Sequence, residues 1–229
     1  MKKTVITLVI LLVAAAAALA GQREKIGIDM SLDTDGDGKV EDTEAALAIK
    51  NIYGLDRNNA ISREMILDSL RATKEQLYDI VMDWFARSFD EDGAAIQHSD
   101  KESGLFIAKT LIPDVAHASS FSSNTDISIT VLVRIDMKDG KMKINTSVQK
   151  YEMLNDLNWL GIILNLDSPP ARSYVEVVPS ECYPFTKKIK KEGARALVAS
   201  HIYSIGIIDS IRDAVTVSYT HLRAHETTL

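Results

Sequence analysis

From Ile127 to Ile135 an apolar side chain recurs at every second residue, and Asp139-Gly140 follows as a favoured two-residue turn. A period of two marks a strand with one buried face, because successive side chains point to opposite sides. Pairing Lys138 with Lys141 across the turn sets Met137 against Met142, Ile135 against Ile144, Val133 against Thr146 and Val131 against Val148. Apolar residues then meet apolar residues, so turn and register agree. Such a hairpin commits the chain to an antiparallel sheet with one face covered.

The flanking segments supply the cover. Arg63 to Ser69 reads as a short strand, and Thr73-Lys-Glu-Gln76 is a capping box that starts a helix running to about Phe89. Leu77, Val81, Trp84, Phe85 and Ser88 fall on one stripe of that helix, with Tyr78, Met82 and Phe89 beside it. Ala94 to Ser99 and Leu105 to Ile112 form a second hairpin around Asp100 to Gly104. Pro113 is expected to end its second strand, and Ala116 to Asn124 to form a flexible loop. The stretch from Leu154 to Pro184 has no clear period. A last helix is expected over about Lys187 to Ala214, burying Leu197, Val198, Ile202, Ile205 and Ile208.

The order strand, helix, hairpin, hairpin, connector, helix gives an α+β fold, an antiparallel sheet with helices packed on one face. Lys74-Glu-Gln-Leu-Tyr78 with Trp84-Phe85, the run Ile96 to Gly104 with its following strand, and the Asp139-Gly140 hairpin resemble a bacterial domain-of-unknown-function family. That family is described as having a TATA-binding-protein-like fold and is common in exported proteins of Bacteroidetes. The resemblance covers roughly Arg63 to Tyr151 and implies the fold; it brings no catalytic residue with it.

Ahead of that region, Asp33 to Glu44 matches the twelve-residue calcium loop of an EF-hand. Ca²⁺ takes six to eight hard oxygen ligands. Asp33, Asp35 and Asp37 stand at positions 1, 3 and 5, Lys39 offers its backbone carbonyl at 7, and Glu41 stands at 9, binding directly or through water. Glu44 at position 12 can close the site bidentately, and Gly38 at position 6 takes the sharp turn. The expected metal ligands are therefore Asp33, Asp35, Asp37, Lys39, Glu41 and Glu44, and the expected ion is Ca²⁺ (Ca2+). The incoming helix has only Gln22 to Leu32 to draw on and is interrupted by Gly27. Leu55 to Glu64 resembles a partner loop that has lost its Asp-Gly turn, a vestige at best.

The two ends carry different signals. Lys2 and Lys3 precede the apolar run from Val5 to Ala17, and Ala18-Leu19-Ala20 has the small-x-small form of a signal-peptidase site. Residues 1–20 are therefore read as a signal peptide cleaved near Ala20, placing the mature chain in the periplasm or outside the cell without a membrane span. Cys182 is the only cysteine, so no intrachain disulfide can form. Val217 to Thr227 resembles the translation of a sequencing adapter, so residues 216–229 are read as an artefactual tail, and His221 and His225 are set aside with it. The expected organisation is a signal peptide at 1–20, an EF-hand-like segment at 21–58, an α+β domain at 61–215 and the tail.

Charge and chemistry narrow the functions. The formal charge is −6, and removing Lys2 and Lys3 takes it to about −8. An acidic exported chain is a poor match for nucleic acid or an anionic membrane. The Lys187 to Lys191 cluster could dock an acidic partner but reads as a solvated first turn or linker. Cys182 with His201 or His98 would be the nucleophile and base of an enzyme, but spacing does not unite them; His201 reads as a hydrogen-bonded core histidine, and His98 and His117 as surface residues. There is no Gly-rich phosphate loop and no zinc spacing. The sequence thus points to a non-enzymatic calcium binder with an envelope protein as partner or a structural envelope role. The alternatives are a periplasmic hydrolase or isomerase with a pocket beside residues 116–124, and a structural domain whose calcium loop no longer binds.

Overall fold

A computed structural model describes residues 30–32, 34–89, 94–119, 124–157, 171–182 and 191–226. Among the described residues seven strands form one antiparallel sheet: β1 (Gly54–Leu55), β2 (Ile61–Leu67), β3 (Ala94–Asp100), β4 (Leu105–Ser119), β5 (Asn124–Lys138), β6 (Lys141–Leu157) and β7 (Ala171–Val177). The spatial order is β1-β2-β6-β5-β4-β3, with β7 paired to β6 beyond the end of β2. The helices are α1 (Asp42–Ile49), α2 (Lys74–Ser88), the short α3 (Pro179–Cys182) and α4 (Lys191–Glu226).

The β5–β6 hairpin has the register read from the turn, from Lys138 opposite Lys141 to Val131 opposite Val148. Past that point Gln149 is an extra residue, and the ladder resumes with Thr130 opposite Lys150. One inserted residue moves the inward set of β6 from Met142, Ile144, Thr146 and Val148 to Tyr151 and Met153. The bulge keeps a 17-residue strand apolar on a single face.

Two boundary expectations are corrected. Pro113 does not end β4, and Ala116 to Asn124 is not one loop: Ala116, His117, Ala118 and Ser119 pair with Ile127, Asp126, Thr125 and Asn124. Proline is tolerated because the ladder skips from Ile112 to Ala116, and the bulge between them needs no N–H from residue 113. Asp114 takes a positive φ of 50° there, and its N–H donates to Ser128 Oγ at 3.2 Å. The last helix, expected to stop near Ala214, continues to Glu226; residues 187–190, and with them most of the lysine cluster, lie outside the described residues.

One face of the sheet carries α2 and α4. The Thr73 hydroxyl accepts from Gln76 N–H and the Gln76 side chain accepts from Thr73 N–H, the expected capping box. Leu77, Tyr78, Val81 and Trp84 are buried, with Phe85 and Phe89 packed beside Trp84 and Phe85 also edge-on to Phe106. The Trp84 indole N–H donates to Ser210 Oγ at 2.8 Å, joining α2 to α4. From α4, Leu197, Val198, Ile202 and Ile208 are buried as expected, whereas Ile205 is half-buried. Ala45, Ala46 and Ile49 of α1 belong to the same apolar cluster, because α1 packs on α4.

The tip of the β5–β6 hairpin is clamped from two sides. Asp139 Oδ1 accepts from Lys74 N–H at 2.8 Å, adding a carboxylate to the hydroxyl cap at the start of α2, and Gly140 exchanges backbone bonds with Leu70 and Ala72. Met137 N–H donates to Gly104 O at 2.7 Å. Gly104 has φ +70°, and a Cβ there would stand 2.4 Å from Met137 O. Gly104→Ala is therefore expected to cost about 2 kcal/mol or more, read as a lower urea midpoint; an unchanged midpoint would show that the clamp is dispensable.

Candidate metal centre and its surroundings

The loop before α1 is shaped by its own short acidic side chains. Asp35 Oδ1 accepts from Asp37 N–H at 3.1 Å, and Asp37 Oδ1 accepts from Lys39 N–H at 2.9 Å. Each bond closes a local turn of the kind that Asp side chains favour. Gly36 and Gly38 take φ values of +76° and +82°, the left-handed region in which glycine meets no Cβ penalty. Asp35, Asp37, Lys39 and Glu41 are exposed.

Glu44 folds back over the loop. Its Oε1 accepts from Thr34 N–H at 2.6 Å and from the Thr34 hydroxyl, and its Oε2 accepts from Glu41 N–H at 3.0 Å. These donors, the Thr34 hydroxyl first, hold the Glu44 carboxyl below the usual glutamate range. Glu44 thus links both ends of the loop and caps α1 through the bond from Glu41. Asp33, the first expected ligand, lies outside the described residues. Among the described residues, no three of His, Cys, Asp and Glu gather closely enough to hold a metal ion. The donors are all hard oxygens, the chemistry that suits Ca²⁺ and not a soft metal.

The loop is tied to the body on its exit side. Arg195 of α4 donates to Asp42 Oδ2 at 2.7 Å and also to the His117 carbonyl. His117 itself is exposed and bonded to Asp126 Oδ1 at 2.6 Å. A cavity of about 240 Å³ opens here, lined among others by Asp42, Ala116, His117, Arg195 and Tyr203. It adjoins the region expected to hold the pocket of an enzyme. The Cys182 side chain lies outside the described residues, and His98 is exposed.

Residues 55–64 are a tight hairpin. Asp56 Oδ1 accepts from Asn58 N–H at 2.7 Å and Ala60 N–H at 3.0 Å, and its Oδ2 accepts from Ser147 at 3.1 Å. Asn59 occupies the turn with φ 61°. The carboxylate that would have opened a second calcium loop instead fixes the β1–β2 turn to β6.

His201 is a core histidine, 1% exposed, as its apolar surroundings predict. Its Nδ1 lies 2.6 Å from the Tyr53 hydroxyl, and the rings meet edge to face at 5.5 Å. Burial pushes the Tyr53 hydroxyl up to about 12, against the opposing charge of Arg63. Arg63 stands 6.0 Å from the Tyr53 ring. This group was not legible in the sequence: Tyr53, Arg63 and His201 lie on three elements, and no spacing rule relates them.

The face of the sheet away from the helices carries ion pairs and polar residues beside exposed Ile66, Leu111 and Tyr174. Arg134 pairs with Asp136, Lys143 with Glu64, and Lys150 with Glu152 and Glu176. Its Ser128, Thr130, Asn145 and Ser147 are polar as read from the strand alternation. No described helix is long and apolar enough to cross a membrane.

Residues 65–152 match the model of a "Domain of unknown function (DUF4468) with TBP-like fold". A TBP-like protein from Parabacteroides distasonis is similar in structure, with a TM-score of 0.50 at 13% identity, covering 71% of this chain and 96% of that one. A DUF4468 family protein from Bacteroides ovatus gives a TM-score of 0.48 at 11% identity, covering 72% of this chain and 90% of that one. No curated protein matches the chain. The segment expected from sequence to run from Arg63 to Tyr151 thus matches the DUF4468 family at residues 65–152, and the fold is TBP-like.

Proposed function

We propose that this protein is an exported, non-enzymatic calcium binder of the periplasm or cell surface, whose loop at residues 33–44 takes one Ca²⁺ and whose TBP-like domain supports an envelope partner. The observation that carries the reading is the loop itself: a register-perfect ligand pattern in which Asp35 and Asp37 fold the turns, Gly38 takes a left-handed conformation, and the Glu44 carboxylate bridges back to Thr34. Asp33, Asp35, Asp37, the Lys39 carbonyl, Glu41 and Glu44 would hold the ion, which supplies charge neutralisation and cross-linking of the loop.

The role suggested for calcium is structural. The loop runs directly into α1, and α1 is pinned to α4 by the Asp42–Arg195 ion pair and by buried Ala45, Ala46 and Ile49. An ion that orders the loop would stabilise this docking. Affinity of roughly 10⁻⁴ to 10⁻³ M is expected for an extracellular module. Self-paired cations on the open face, with the net acidity of the chain, support a partner other than nucleic acid.

Calorimetric titration of Ca²⁺ is expected to show one site in the parent and none in an Asp35→Ala, Glu44→Ala double variant, with EDTA lowering the thermal midpoint of the parent alone. No heat at millimolar Ca²⁺ and an EDTA-insensitive melt would sink the calcium reading. A second test uses acid on the calcium-free chain. Because the folded Glu44 carboxyl is depressed, its contribution is present above the ordinary glutamate range and is lost as pH falls through the folded value. Thr34 amide exchange is therefore expected to stay protected at neutral pH and to approach its intrinsic rate only in strong acid; loss of protection already near neutrality would show that Glu44 does not hold the loop.

A further inference from the structure

The helix-facing side of β2 carries one cation among apolar residues. Ile61, Arg63, Met65 and Leu67 share that side by alternation, and Arg63 stands opposite Thr146 of β6. Arg63 Nη1 is buried and has no hydrogen-bond partner, and Thr146 Oγ1, on a residue 0% exposed, has none either. Two orphaned polar groups on paired residues of neighbouring strands are costly unless something else satisfies them. No carboxylate among the described residues pairs with Arg63. The Tyr53 hydroxyl hydrogen-bonds the Arg63 side chain but does not neutralise its charge, because burial keeps that hydroxyl protonated.

Arg63 borders an open groove of about 920 Å³ between α4 and β2, a size in the range of small-molecule sites. Arg63 and His201 lie at one part of its lining, and Met65, Ile202 and Ile205 give it an apolar wall. That wall accounts for Ile205 being half-buried although it lies on the apolar face of α4. Asp209 and Asp213 also line the groove and share Arg212, so this trio carries one net negative charge. With Arg63 the lining is neutral, which favours a singly charged anion over a phosphate dianion.

We propose that the groove between α4 and β2 binds a small organic monocarboxylate, its head on the Arg63 fork and its apolar body along Met65, Ile202 and Ile205. A guanidinium presents paired N–H donors that match a carboxylate. The site is separate from the calcium loop and stands or falls independently of it.

The test uses octanoate as probe on the full chain, by calorimetry and thermal shift, with octanol and inorganic phosphate as controls. Octanoate is expected to bind once per chain and raise the melting midpoint, octanol and phosphate to do neither. Arg63→Met is expected to weaken octanoate at least about tenfold, as loss of a charge-assisted contact does. Ile205→Trp, on the groove wall, is expected to block it while leaving Arg63 in place, and serves if Arg63→Met fails to fold. No response to millimolar octanoate, an equal response to octanol or phosphate, or undiminished binding in folded Arg63→Met or Ile205→Trp would overturn the proposal.

Discussion

Everything in the sheet depends on keeping β5 and β6 in phase. These strands run 15 and 17 residues, and a one-residue slip would turn every apolar side chain to the wrong face. The Asp139-Gly140 turn sets the phase at one end, and the Gln149 bulge restores it in the middle. The consequences spread outward. Because Ile127 to Met137 stays inward, α2 and α4 find a continuous apolar floor; because the tip is fixed to Ala72, Lys74 and Gly104, α2 starts at a defined place on that floor.

What could be read from the chain follows from where the information is local. Turn chemistry, a period of two and the Thr73 capping box are written within a few residues, and the hairpin register, the start of α2 and its buried stripe follow from them. Pro113 misled because the rule that proline ends a strand assumes an unbroken ladder, and the bulge at Ile112 to Ala116 breaks it. Gln149 carries no signal of its own, since a bulged polar residue looks like an ordinary outward one. The acidic loop is legible for the same local reason, each Asp folding the turn two residues on. By contrast, Asp42 with Arg195, and Tyr53 with Arg63 and His201, are brought together only when α1 and α4 dock on the sheet.

The TBP-like architecture says little about activity, because a fold is a scaffold on which different surfaces are carried. In this chain the face left open by the helices carries ion pairs within strands, Arg134–Asp136 and Lys150–Glu152, and between strands, Lys143–Glu64 and Lys150–Glu176. Such exposed pairs contribute little to stability. Their effect is to make that face locally neutral. Arg63 Nη1 and Thr146 Oγ1, buried without hydrogen-bond partners, sit on the opposite side of the sheet.

The far edge of β6 changes neighbour along its length. β2 pairs with it up to Val148, β7 from Tyr151 onward, and the bulge falls between them. The sheet therefore forks, with β6 as the common stem of two prongs. Strand exchange, insertion or loss on one prong leaves the ladder of the other intact, so the outline of this molecule can be re-cut on the β7 side without re-tuning β2, α2 or the clamped hairpin tip. The match to the DUF4468 family ends at residue 152, within one residue of that fork.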